Sequence, residues 1–369
     1  MASSGNSVRS LFILLLNTSF CTKDTNQTIY ELDTEGELIS DHARSAVLFF
    51  IHVMLDMCIC VFGIAGNSLN ITVFLRQGLR TSVNLSLFAM SLSDLIGLIF
   101  QVWHNFCMNP YLELAELPIN FMDLQVLTAG YPNVAMTRIT SWITVYITAE
   151  RCLSVLTPFR VGIHVMFKRS VVILILCYSI NLAFLVPQYA FDYLSYSFIP
   201  GLNKTRLGIS VRWNDEMMVY VRNISHIYLS IIAILFVIVN TAVLVVSLRW
   251  KTKWRQGAMS NQNQQKALSS RDKKTVMLVI MVATVLIVCY SPAVTCTFLE
   301  IFLPSFGFYA KQKNVYHVAW SFCFLFNSIN ASINAIVYYN MSSKYRTTLQ
   351  EMFPRWKDTI KVIHSTSMV

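Results

Sequence analysis

The chain has 369 residues, of which 55% are hydrophobic and 13% charged, with a formal net charge of +10. An ordinary soluble domain carries about 25% charged residues, so the composition excludes one and points to a protein that lives in a bilayer. A nucleic-acid partner is excluded as well, because the basic residues are split among segments that flank apolar runs and do not gather into one patch.

A membrane-crossing helix needs about 20 mostly apolar residues. Such runs lie at 46–75, 81–106, 126–149, 170–188, 224–248, 275–303 and 315–340. The expected fold class is therefore all-α membrane: a seven-transmembrane helix bundle over 46–340, preceded by a tail, 1–45, and followed by a segment, 341–369, with a short amphipathic helix. Segments 76–80, 150–169, 249–274 and 341–369 hold 19 Lys and Arg; 1–45, 107–125, 189–222 and 304–313 hold 9. Positive residues stay in the cytosol, so the amino terminus is expected outside the cell and the chain in the plasma membrane.

In chain order, the tail is polar and acidic and reads as a solvated arm. Its apolar run "LFILLL" is short for a signal peptide and lacks a small-residue cleavage site, so removal is not expected. Sequons at Asn17, Asn26, Asn203 and Asn223 all fall on the face assigned outside and are candidate glycosylation sites. The first span holds Asp56 and ends in Gly66 and Asn67. The second holds Asp94 in "SLSD", then Gln101 and His104. The third holds Asn133, Arg138 and Thr140 and closes on Glu150 and Arg151. The stretch between the fifth and sixth spans is basic at both ends and amide-rich between them, so its ends should prolong the helices and its middle should be linker. The sixth span holds Tyr290, Pro292 and Glu300, and the seventh Asn330, Asn334 and Tyr338. After it, Tyr345, Leu349 and Met352 repeat at helical spacing, as in a helix lying on the inner membrane surface.

Each ionisable group at the bilayer centre costs about 2.5–3.5 kcal/mol on insertion scales, so the few present are the first candidates for function. Arg138 needs an acceptor, either a ligand carboxylate or an internal partner; the internal partner is preferred because an empty site would leave the cation unpaired. Asp56, Gln101, His104, Asn133, Arg138 and Glu300 lie in the outer halves and are the candidate ligand contacts. Asp56 and Glu300 could receive an arginine or amine of a short peptide.

The order "GN" at Asn67, "SLSD" at Asp94, "ERC" at Arg151, "CYSP" at Pro292 and "NAIVY" at Tyr338, followed by "KYR", resembles the rhodopsin-like family of G-protein-coupled receptors over all seven spans. The third helix is also similar to those of divergent invertebrate peptide and chemosensory receptors. The resemblance implies a receptor, not an enzyme, that binds an extracellular peptide or small molecule and activates a heterotrimeric G protein. It implies that Arg151 is held at rest by Glu150 and by Asp272 at the foot of the sixth helix, and is freed when that helix swings about Pro292. It also implies that Tyr290 and Asn334 belong to the hinge, that Tyr338 steadies the open state, and that Asp94, Thr140, Asn330 and Asn334 enclose a sodium ion or a water. No cofactor is required.

Several features depart from that family. Val126 stands where the third helix usually carries a cysteine, and no cysteine occurs from 178 to 288, so the usual outer disulfide cannot form. A Cys107–Cys21 bond is one substitute. Tyr290 replaces a tryptophan and Ala335 a proline. The seventh span has no lysine for retinal, and Asn133 stands where amine receptors carry an aspartate. An opsin and an amine receptor are thus disfavoured, leaving a short peptide first and an odorant second. A transporter or channel is the rival from another class; internal repeats and glycine-broken spans, its usual signs, are absent.

Overall fold

Helices begin where the chain supplies a side-chain oxygen for the unpaired N–H groups of the first turn. Ser40 accepts from Ala43 N, Thr81 from Asn84 N and Ser342 from Tyr345 N. In the computed structural model, residues 37–115, 117–156, 163–199, 204–211, 228–257, 263–307 and 310–354 are described, with backbone alone over 163–166, 199, 211, 251–257 and 263–273.

Seven long helices form the bundle: α1 Asp41–Gln77, α2 Ser82–Cys107, α3 Tyr131–Leu156, α4 Ile163–Ala183, α5 Leu229–Gly257, α6 Asn263–Phe302 and α7 Lys313–Met341. A short α8, Ser343–Met352, follows. Six of the seven contain a segment long and apolar enough to cross a membrane. The exception, α3, packs against α2, α4, α5 and α6, and fifteen of its 26 residues are buried. A helix sheltered by four others can be polar without meeting lipid, and α3 buries Asn133, Arg138, Thr140, Ser141, Thr144, Thr148 and Glu150.

Four features differ from the sequence expectation. Helix α1 starts at Asp41, ahead of the expected boundary, and α6 reaches back to Asn263, into the amide-rich stretch read as linker. Helix α4 ends at Ala183 and a second short helix, Leu185–Phe191, follows; Pro187 lacks an N–H and its ring crowds the carbonyl four residues back, so the first helix cannot run through. Two π-helical stretches, Phe49–Asp56 within α1 and Val126–Gly130 leading into α3, were not expected.

An antiparallel hairpin, β1 Asp192–Ile199 and β2 Lys204–Val211, pairs Asp192 with Val211 and Ile199 with Lys204. It marks one end of the bundle, the hairpin end; Glu150 and Arg151 lie at the opposite, or switch, end. Helices α1 and α7 meet closely at Gly63, where an added Cβ would lie 2.1 Å from Ser332 Oγ.

Candidate functional site

At the switch end α3 finishes with Glu150 buried and Arg151 folded back on it, Nη2 to Oε1 3.2 Å, the two side chains 15% and 1% exposed for Arg151 and Glu150. A guanidinium so enclosed is held inside the helical bundle and away from open solvent. Close by, Asn240 of α5 donates its amide to Thr148 Oγ1 at 3.4 Å, and Cys152 Sγ donates to the carbonyl of Asn240. Asp272, the second expected partner of Arg151, lies on α6 with its side chain outside the described residues.

Tyr338 of α7 is buried in an aromatic triangle with Phe74 of α1 and Tyr345 of α8, at centroid distances of 5.4 and 5.9 Å. The Tyr345 hydroxyl donates to Asn70 Oδ1 at 2.6 Å. Asn70 in turn donates to Asn67 Oδ1, and Asn67 donates to the Ala331 carbonyl of α7 at 2.8 Å. The end of α7 is thereby tied to α1 twice, once through rings and once through amides. Tyr290 packs against the Val237, Ala283 and Leu286 cluster shared by α5 and α6, two positions before Pro292 within α6.

In mid-bundle, Asp94 Oδ1 accepts from Thr140 Oγ1 at 2.7 Å and Oδ2 from Asn334 Nδ2 at 2.8 Å. Ser93 shares a 2.8 Å hydrogen bond with Thr140. Asp94, Thr140 and Asn330 line a cavity of about 10 Å³ together with Asn133 and Asn327. That is room for one water-sized species. Asn334 reaches the same carboxylate without lining the cavity. A carboxylate, a hydroxyl and amide oxygens are hard donors, the set a small monovalent cation accepts.

The polar residues of the hairpin-end half are drawn into internal bonds. Asp56 Oδ2 accepts from Gln101 Nε2 and from Asn105 Nδ2, both at 2.9 Å. His52 Nδ1 bonds Asn105 Oδ1 at 2.9 Å, and His104 Nδ1 bonds Gln125 Oε1 at 2.8 Å. The π-helical turns of α1 put His52 and Asp56 on the face that meets α2, with the two histidine rings 5.3 Å apart. His52, Asn105 and Gln125 were missed in the sequence, although His52 lies four before Asp56 and Asn105 four after Gln101, a spacing that stacks them on one helical face.

Arg138 donates from Nε to Asn181 Oδ1 at 3.0 Å and from Nη2 to the Asn181 carbonyl at 3.2 Å, with its guanidinium 6.0 Å above the Phe184 ring. Its acceptor is thus internal, on α4. Asn133 donates its amide to the Gly97 carbonyl. Of the six candidate ligand contacts, Asp56, Gln101, His104, Asn133 and Arg138 are all at most 3% exposed. Glu300, near the end of α6, alone among the six keeps partial exposure.

With no cysteine bridge available, the hairpin is held by other bonds. Tyr131 donates its hydroxyl to Asp192 Oδ2, and Tyr189 donates to the Leu127 carbonyl at 2.7 Å. Residue 207 forms a parallel bridge with Ile119, with Asn120 N donating to Leu207 O and Leu207 N to Pro118 O, each at 2.8 Å. Ile209 N donates to Asp123 Oδ2; a side chain at Gly208 would put its Cβ 2.7 Å from that oxygen. Part of the acidic tail is docked too: Asn314 of α7 donates to Glu37 Oε2, and Lys313 pairs with Glu37 at 3.7 Å. Cys107 is buried at the end of α2; Cys21 and all four candidate glycosylation asparagines lie outside the described residues.

Residues 54–356 match the family described as Serpentine type 7TM GPCR chemoreceptor Srw. The chain belongs to this family of G-protein-coupled receptors. The receptor is 23% identical to the Caenorhabditis elegans protein named "Putative G-protein coupled receptor F59B2.13" over 95% of this chain and 82% of that one. It is 23% identical to rat neuromedin-U receptor 2 over 80% of this chain and 73% of that one. The human neuromedin-U receptor 2 matches at 23% over 80% and 69%. These findings bear out the resemblance drawn from the five motifs, and membership in a receptor family answers the transporter and channel alternative. A multi-pass membrane receptor that couples to G proteins follows from the family; an enzyme does not.

Proposed function

We propose that the receptor sits in the plasma membrane with the hairpin end outside, binds a short peptide there, and activates a heterotrimeric G protein at the switch end. The single observation that carries the coupling half is the Glu150–Arg151 pair, enclosed at the end of α3 farthest from the hairpin. A partly desolvated pair costs enough to break that it separates two states, and few enough contacts hold it that a docked transducer can compete. Freed from Glu150, the guanidinium donates to whatever enters the cleft that α6 opens by moving about Pro292. The peptide half rests on the name of the neuromedin-U receptors and on Glu300, the one carboxylate among the six candidates that is not fully buried. Asp56, Gln101, His104, Asn133 and Arg138 act as the internal frame of that site.

The experiment is GTPγS binding in membranes from cells expressing the receptor, against a panel of short amidated peptides. A peptide that raises GTPγS binding in wild type, with no response in Arg151→Ala at equal surface level, is the expected result. Full coupling by Arg151→Ala would overturn the assignment. The family's description as chemoreceptors favours a second reading, in which the ligand is an odorant; the same assay with odorants in place of peptides separates the two.

A further inference from the structure

In the hairpin-end half, Cys296 of α6 and Cys323 of α7 face one another, Cys323 Sγ donating to Cys296 Sγ at 3.5 Å. Both are buried, 6% and 4% exposed, in a cluster with Phe306 and Tyr316, against which Ala293, Ala319 and Trp320 pack. No second thiol–thiol hydrogen bond occurs among the described residues. Cys296 lies one helical turn beyond Pro292. At 1.5 Å per residue it is about 9 Å along the axis from Phe302, and Cys323 is about 15 Å from Lys313, so the pair sits roughly two to three turns inside the hairpin-end opening of the α6–α7 seam.

Bonded sulfurs lie about 2.05 Å apart, so the pair has about 1.5 Å to close. The edge of the seam is already fixed by the short connection between α6 and α7, where the Phe306 ring meets Tyr316 at 5.3 Å.

We propose that Cys296 and Cys323 are a modification site that closes to a disulfide in the oxidising secretory lumen, joining the hairpin-end half of α6 to α7. The oxidant is a disulfide-bearing oxidase of that compartment. One cysteine thiolate attacks the oxidase disulfide and forms a mixed disulfide; the second thiolate then attacks the bonded cysteine sulfur and expels the oxidase thiolate. Two thiol protons leave, two electrons reduce the oxidase disulfide to two thiols, and one S–S bond is formed in the receptor. Closure takes place as α6 and α7 come together, before Phe306, Tyr316 and Trp320 cover the pair. The mechanical consequence, which rests on the receptor reading, is that α6 is anchored one turn from its proline, so that its switch-end half alone is free to swing.

The test starts with the full-length receptor taken from cell membranes. Thiols are blocked with N-ethylmaleimide in denaturant without reductant, and the digest is analysed by mass spectrometry. The expected result is a linked peptide pair carrying residues 296 and 323 that is lost after TCEP. Recovery of both cysteines fully alkylated overturns the proposal, and so does a link that forms only after treatment with copper phenanthroline. Basal GTPγS binding is then read with and without TCEP in wild type, Cys296→Ser and Cys323→Ser. A rise on reduction in wild type that both variants lack supports the anchoring role. A linked peptide with no such rise keeps the site and overturns its role in α6 movement. Failure of the receptor reading leaves the peptide mass result untouched, so the two failures are distinguishable.

Discussion

The hydroxyl of Tyr131, at the start of α3, donates to the carboxylate of Asp192, the first residue of β1. Both residues are buried. The bond joins the third helix to the second hairpin-end loop, the connection that a disulfide makes in most rhodopsin-like receptors and that Val126 rules out here. A hydrogen bond to a charged group contributes about 1.5–3 kcal/mol. Tyr131→Phe and Asp192→Asn are each expected to lower the thermal midpoint of the solubilised receptor, and the double variant to fall little further than either single one. Additive losses in that double-mutant cycle would show that the two side chains act separately.

Arg138 and Asn181 form an asymmetric pair: a guanidinium 1% exposed, bonded to a neutral amide. Removing the amide side chain leaves residue 181 only its backbone carbonyl to offer the buried guanidinium, and a hydrogen bond to a charged group contributes about 1.5–3 kcal/mol. Asn181→Ala is therefore expected to reduce folded receptor sharply at 37 °C. Asn181→Asp keeps an acceptor for the guanidinium but gives up the Nδ2 donor that bonds the Cys177 carbonyl at 2.8 Å, so its thermal midpoint is expected to lie between those of wild type and Asn181→Ala. Fluorescence-detected size-exclusion of the heated receptor reads both. An Asn181→Asp midpoint no higher than that of Asn181→Ala would mean that the side chain at 181 is not what holds the guanidinium.

Much of the bundle was legible because lipid allows so little choice: long apolar runs located all seven spans, and the rarity of ions inside them singled out Asp56, Asp94, Arg138 and Glu300. The family was legible in five short motifs at the right depths. What Asp56 and Arg138 bond to was not. Asn181, His52, Asn105 and Gln125 are ordinary polar residues on separate helices, and no local pattern says which neighbours will meet. The hairpin escaped because Leu194, Tyr196 and Phe198 alternate with Tyr193, Ser195 and Ser197 over only a few positions, among residues that also read as loop. The π-helical turns escaped because an extra residue in a helix shifts its face without changing its composition.

The Asp94 cavity carries a prediction about salt. A cation seated against Asp94 Oδ1 and Thr140 binds the packed state and not the unfolded one, so it should raise stability with its concentration. The thermal midpoint of the wild-type receptor is expected to be higher in sodium chloride than in choline chloride at equal ionic strength. Asp94→Asn should remove that difference, since an amide keeps the bonds' shape but not the charge. An equal sodium response in the two proteins would take the ion out of this site and leave water there.

Tyr345 of α8 gives a prediction about pH. Its hydroxyl is bonded to Asn70 and its side chain is 1% exposed, and burial pushes the phenol above its ordinary value of about 10. The sign follows from proton counting. In the unfolded chain the phenol loses its proton as pH rises past about 10, while in the fold it stays neutral, so above that point the unfolded state binds fewer protons and is favoured. The stability Tyr345 contributes is thus complete below pH 10 and declines as the pH climbs from there toward its folded value. Tyr345→Phe should unfold with a shallower loss of stability across that alkaline window, and at neutral pH should be weaker by about 1 kcal/mol for the lost bond to Asn70. Denaturation midpoints of wild type and Tyr345→Phe, measured from neutral to alkaline pH, are expected to converge as pH rises. Parallel curves across that range would mean that the phenol ionises in the fold as readily as in the unfolded chain, and that the tie between α8 and α1 is looser than the 2.6 Å bond implies.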